Sequence, residues 1–185
     1  MMKRLVLGVV ACMLLVSGAY AGDKVVLPGS LKAGESDLVL NGSGMRTKLM
    51  LDLYVAGLYV PSKTKDVATL LKKDDKMGMK LHIVSGMINS KNMSEATLEG
   101  FEKSTNGNIA PIKKEIDEMI QVFSSAISKN DVYDLVYEPG KGTSIYKNGK
   151  LSKVIPGEEF RKALFGIWIG QNPVQSNLKA KLAGS

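Results

Sequence analysis

Arg46 follows the short glycine segment Gly42-Ser43-Gly44, and Tyr54 stands farther on in the apolar, aromatic run Leu53-Tyr-Val-Ala-Gly-Leu-Tyr-Val60. A guanidinium is always charged, and its planar fork matches a carboxylate through two parallel hydrogen bonds. An arginine aimed into a cleft by a glycine turn is therefore a carboxylate clamp. The residues alone leave a second reading open, in which Arg46 is solvated at a turn or closes a structural ion pair.

Other chemistry finds little material. His82 is the only histidine and alternates with Leu81 and Ile83, which reads as an exposed strand position rather than a general base. Cys12 is the only cysteine, so no Cys/His zinc site of the usual kind can be assembled. Nucleophile elbow, Walker-type loop and dinucleotide fingerprint are all missing from the sequence. Asp74-Asp75 and Glu158-Glu159 are adjacent pairs, which do not face each other as an acid/base couple must, and they read as surface charges. Met77-Gly78-Met79 offers too few soft ligands for copper and reads as core filling. Neither a metal nor a nucleotide cofactor is implied.

The elements that must position Arg46 are legible from periodicity. Strands are expected over residues 37–41 and 48–60, broken by Gly42-Ser43-Gly44, and over 80–88. From Pro111 the residues Ile112, Ile116, Met119, Ile120, Phe123 and Ile127 recur at helical spacing. A shorter helix entered near Asn92 and Ser94 precedes it, with Leu98 and Phe101 inward and Gly107 beyond its end. Strands follow over 131–138, 143–147 and 150–155, the last two joined by the hairpin signal Asn148-Gly149. Glu158 to Trp168 then reads as a helix, and Ser176 caps a last one to Leu182. The order predicts an α+β domain, an antiparallel sheet with helices layered on one face.

The first 21 residues read as an address. Lys3 and Arg4, the apolar run Leu5 to Val16 and Ala19-Tyr20-Ala21 are the three parts of a cleaved secretory signal, which makes residues 22–185 a single exported domain, periplasmic or secreted. The apolar run is shorter than the ~20 residues of a spanning helix, so no stable membrane span is expected after cleavage. Val9-Val10-Ala11-Cys12 is a minor lipoprotein alternative, since it falls inside the apolar run. Removing Lys3 and Arg4 lowers the formal charge of +7 by two and takes away the cysteine. A domain of this size buries about 70% of the surface its unfolded chain exposes, enough for a core without disulfides. The lysines are dispersed in pairs such as Lys72-Lys73 and Lys113-Lys114, a solvated surface rather than a nucleic-acid patch.

Two segments carry a resemblance. Leu38-Val-Leu-Asn-Gly-Ser-Gly-Met-Arg46 running into residues 53–60, and Ile167-Trp-Ile-Gly-Gln-Asn-Pro-Val174 with Asn177-Leu-Lys-Ala-Lys-Leu182, resemble the opening sheet and the closing helices of the chalcone isomerase-like family. The resemblance implies that family's open-faced β-sandwich and a ligand cleft between sheet and helices. It places the family's cleft arginine on Arg46 and the polar residue of the next strand on Tyr54. The same fold hosts isomerases and fatty-acid binders. The isomerases' tyrosine before the central helix has no counterpart in Asn106-Gly-Asn-Ile-Ala-Pro111, and Ile167 stands where they carry a hydroxyl. A cyclisation that needs preorganised donors loses them here.

The expectation is a non-catalytic domain holding a small amphiphilic anion, such as a fatty acid, with Arg46 and Tyr54 as ligand-binding residues. Leu49, Leu51, Leu53 and Val55 are expected in the core away from the cleft, and Met50 and Met119 as adaptable lining. An intramolecular lyase using Arg46 and a ligand-free envelope protein are the alternatives, and the oligomeric state is left open. On one straight strand Arg46 and Tyr54 would be roughly 26 Å apart at ~3.3 Å per residue, so either a bend or bulge brings them together or only one reaches a ligand.

Overall fold

The computed structural model describes residues 25–184, so the expected signal segment and Cys12 lie outside the described residues. Seven strands form one antiparallel sheet in which each pairs with its neighbour in sequence: β1 (Ser30–Ala33), β2 (Ser36–Lys48), β3 (Leu51–Val60), β4 (Met77–Ile83), β5 (Val132–Glu138), β6 (Gly142–Lys147) and β7 (Lys150–Ile155). Four helices complete the domain: α1 (Ser90–Ser104), α2 (Lys113–Val122), α3 (Glu158–Ile169) and α4 (Ser176–Leu182). This is the α+β architecture that the order of elements predicts. None of the described helices is long and apolar enough to cross a membrane.

The main core lies between the sheet and the helices. Tyr54, Ala56, Leu58 and Val60 of β3 project to that side at the period of two that a strand imposes, as do Met77, Met79, Leu81 and Ile83 of β4. They meet Phe101 of α1, Ile116 and Met119 of α2, and Phe160 and Leu164 of α3. On the far face Ala33, Leu38, Tyr59 and Val136 form a second, smaller cluster. Covered on both sides, β3 is apolar without interruption from Val55 to Val60.

Several boundaries differ from the sequence expectation. Gly42-Ser43-Gly44 does not break the first strand, because β2 continues through it with only a register shift between Leu40 and Gly42. The glycines answer to α4 instead: a Cβ on Gly42 would meet the Lys181 carbonyl oxygen and come within 2.8 Å of that of Leu182, and one on Gly44 would meet Lys181 Cβ at 3.0 Å. A helix backbone lies directly on the strand where no side chain intervenes. The chain reverses instead at Leu49-Met50. Met77 and Met79, buried in β4, move that strand's start upstream, and it ends at Ile83. Helix α1 is longer than α2, not shorter, and begins at Ser90, capped by Asn89 in a reciprocal box with Asn92. Helix α2 stops at Val122, although Ile127 beyond it is still buried. Strand β1 escaped periodicity altogether, at four residues with a single buried one.

Arg161 of α3 is fully buried, which no sequence pattern indicated. Its Nη1 and Nη2 donate to the carbonyls of Leu70 (3.3 Å) and Leu71 (3.2 Å), closing the 3₁₀ turn Val67–Leu71, and its guanidinium lies 5.0 Å from the Tyr137 ring centre. Tyr137 donates in turn to Asp74 (2.5 Å), and burial together with that bond pushes its phenol up to about 12. These contacts tie the segment between β3 and β4 to the helical layer, a structural use of charge.

Candidate functional site

The β2–β3 hairpin settles the distance between Arg46 and Tyr54. They are directly paired across the two strands and share the helix-facing side of the sheet. Next to them the register shifts, with Arg46 opposite Tyr54 but Thr47 opposite Asp52, so Leu53 is an extra residue on β3. Such a bulge rotates the strand locally. Both Leu53 and Tyr54, consecutive residues that a regular strand would send to opposite faces, consequently line the space under the helices.

Tyr54 is buried, and its hydroxyl accepts a hydrogen bond from Trp168 Nε1 of α3 at 3.0 Å. Burial raises the phenol's pKa, while the Trp168 bond and then the nearby Arg46 charge pull it back. Tyr54 is thus a neutral phenol whose hydrogen-bond partner, Trp168, is a donor, leaving its own hydrogen available to an acceptor.

Arg46 is half-buried, and Gln175, the residue before α4, holds it in place. Arg46 Nη1 donates to Gln175 Oε1 (3.1 Å) and to the carbonyl of Thr47 (2.6 Å). Gln175 Oε1 also accepts from the Thr47 amide (2.9 Å), and its Nε2 donates to the Met45 carbonyl (3.3 Å). Both hydrogen bonds of the guanidinium use one nitrogen, and its partners among the described residues include no carboxylate.

Two cavities meet at this corner. The inner one, about 60 Å³, is bounded by Arg46, Tyr54 and Trp168 at its polar end and by Leu81, Met119 and Phe123 among its apolar walls. The outer one, about 390 Å³, lies between the hairpin and α1, lined by Leu49, Leu51, Met87 and Ile88 with Asn92, Glu95 and Glu99 at its rim. Lys48, Leu53, Tyr54, Met93 and Ala96 border both. Across the rim Lys48 Nζ meets Glu99 at 2.9 Å, with Lys103 on the same carboxylate at 3.2 Å. The hydrogen bonds from Lys48 and then Lys103 hold the Glu99 carboxyl below its ordinary range.

Chemically, the corner offers a cation and a phenolic O–H facing a small void with apolar surroundings, and the lining of that void includes neither an imidazole nor a carboxylate. Such a set recognises an acceptor, above all an anionic one. Space is the second constraint: the inner void holds about two waters' worth of volume, the size of a head group. The outer cavity falls within the ~300–1,000 Å³ of small-molecule pockets.

The lining expected from sequence is partly corrected. Leu49 and Leu51 are exposed at the cleft mouth rather than in the core, because the reversal at Leu49-Met50 puts them at a hairpin tip; Met50 is exposed there and Leu53 lines both cavities. Val55 is buried on the far side of β3, and Met119 lines the inner cavity. Ile167 lines it too, where the resemblance implied a lost hydroxyl. His82 is half-buried on β4, pairing with Val55 and Val132 away from the cleft. Trp168, Gln175, Lys48 and Glu99 were not anticipated. Trp168 is the chain's single tryptophan, a signal that could have singled it out, whereas nothing local marks Gln175.

The sequence model of a family described as chalcone isomerase-like matches residues 19–184. Among curated proteins none gives a significant match. Among solved structures, the crystal structure of a fatty-acid binding protein from Arabidopsis thaliana is similar with a TM-score of 0.66 at 20% identity, over 85% of this chain and 90% of that one. At that identity the likeness is one of fold.

Proposed function

We propose that this chain, which belongs to the chalcone isomerase-like family, is an exported, non-catalytic protein that holds a small amphiphilic anion such as a fatty acid between its sheet and its helices. The observation that carries this reading is the donor-only corner: Arg46 and Tyr54 face a head-group-sized void that opens beside a larger apolar cavity. The carboxylate takes the Arg46 nitrogen left over by Gln175 and Thr47 together with the Tyr54 hydrogen. The alkyl chain runs outward over Leu53, Met93 and Ala96 towards Met87 and Ile88. The structural neighbour's name, a fatty-acid binding protein, supports the same ligand class.

Export rests on the n-region, apolar core and Ala19-Tyr20-Ala21 in order. N-terminal sequencing of the protein from its compartment is expected to begin at Gly22, and a retained Met1 refutes cleavage. Native mass spectrometry of the same material tests the ligand. A co-purifying fatty acid supports the reading, and a flavonoid-sized molecule, or stereoselective closure of a chalcone abolished by Arg46→Ala, replaces it with the lyase.

A further inference from the structure

We infer that the tip of the β2–β3 hairpin is a membrane-docking prong, through which the cleft takes its amphiphile directly from a lipid bilayer. The inference rests on the amphiphile-binding reading and adds the surface that supplies the ligand. Leu49 and Met50 both occupy the left-handed region, with φ of 51° and 63°, as the two central residues of a tight hairpin turn. Side chains with a Cβ enter that region at a cost, which is why such turns favour asparagine and glycine. The chain supplies its own comparison: the β6–β7 turn has the same sign of φ at both positions (51° and 78°) and uses Asn148-Gly149. At the β2–β3 tip, large apolar residues occupy the strained positions and are also bare to solvent, Leu49 85% and Met50 99% exposed. Neither backbone preference nor core packing accounts for them.

Their place in the molecule does. Val26, Leu49, Met50, Leu51, Met87 and Leu151 are the exposed large apolar side chains among the described residues, and four of these six lie at one site. Leu49, Leu51 and Met87 line the outer cavity, and Met50 stands beyond them at the apex, so the prong is the lip of the cleft. The occupant follows from size and charge. A tip of two residues falls far short of the ~800 Å² per partner of a standard protein interface. Insertion into the headgroup and acyl boundary needs only a few apolar side chains with basic support. Lys48 directly precedes the tip, and the formal charge of +7, still clearly positive once Lys3 and Arg4 leave with the signal segment, gives the protein a general attraction to anionic lipid. The acids at the mouth have basic neighbours, Glu99 bonded to Lys48 and Lys103 and Glu95 one turn from the exposed Lys91 (4.0 Å), while Asp52 faces the other side of the hairpin.

The test uses position 50, which lines neither cavity. Wild-type protein is expected to float with vesicles of phosphatidylethanolamine and phosphatidylglycerol. Met50→Gly, which fits the turn, should weaken flotation roughly tenfold and Met50→Asp more strongly, because one buried apolar side chain and then a charge penalty are at stake. Both variants should keep the circular dichroism spectrum and the wild-type affinity for a soluble fatty acid measured without vesicles, and Met50→Gly should melt at a higher temperature. Uptake of a fluorescent fatty acid from vesicles should accelerate with vesicle concentration in wild type and lose that dependence in Met50→Asp. Wild-type protein that stays with the aqueous phase, variants that float equally well, or a dimer dissolved by either substitution would overturn the prong. Flotation without fatty-acid affinity keeps the prong and refutes the ligand.

Discussion

Arg46→Ala is expected to weaken binding of a long-chain fatty acid by about tenfold to a hundredfold. The magnitude comes from one charge-assisted hydrogen bond in a partly closed site, about 1.5–3 kcal/mol, at 1.4 kcal/mol per tenfold in affinity. The geometry argues for one such bond rather than two, since Nη1 is already engaged by Thr47 and Gln175. Truncation should leave the fold intact, because Gln175 keeps its bonds to the Thr47 amide and the Met45 carbonyl. Arg46→Lys should recover only part of the loss, as an ammonium keeps the charge but cannot hold Gln175 with one nitrogen and the ligand with another. The assay is quenching or shift of Trp168 emission, which reports on the corner alone because the chain has no other tryptophan. The methyl ester of the same acid is the control. Equal affinity for acid and ester, or an unchanged affinity in Arg46→Ala, would refute the clamp.

Tyr54→Phe removes the acceptor of the buried Trp168 N–H and should destabilise the protein by about 1–3 kcal/mol in denaturant titration, besides weakening the acid by about 0.5–1.5 kcal/mol. Gly42→Ala forces a Cβ onto the α4 carbonyls and should cost about 1–3 kcal/mol, read as a fall in melting temperature of roughly 2–4 °C per kcal/mol. Glu99 has a depressed carboxyl, so the Lys48–Glu99 contact is present above the ordinary carboxylate pKa and is lost as pH falls through the depressed value. Fatty-acid exchange measured by stopped flow should therefore quicken in acid. Glu99→Gln should be fast at every pH with little change in stability, since exposed pairs contribute about 0–1 kcal/mol.

The sequence was most informative where a local rule and the tertiary demand coincide. Asn148-Gly149 makes the turn its backbone geometry asks for, and the late strands and α3 begin and end within a residue or so of their expected limits. It misled where a residue answers to a distant neighbour. Gly42 and Gly44 look like a break but are a bed for a helix more than a hundred residues later. Leu49-Met50 looks like strand interior but is the turn, because no steric preference announces it. The proximity of Arg46 and Tyr54 was one of two alternatives and became definite only with that turn and the bulge at Leu53. Gln175, 129 positions from Arg46, could not be paired with it by any spacing rule.

The attachment of α4 has a consequence for the order of events in synthesis. Asn41, buried in β2, donates to the Leu182 carbonyl at 2.7 Å, while Gln175 grips the Arg46 end of the same strand, so the helix is fastened at both ends to an element made more than a hundred residues earlier. A growing polypeptide that has completed its whole sheet still lacks the piece that fixes Arg46. Chains truncated before Gln175 should accordingly be unable to hold a fatty acid tightly, and loading would be postponed until the finished chain has docked α4 on its sheet.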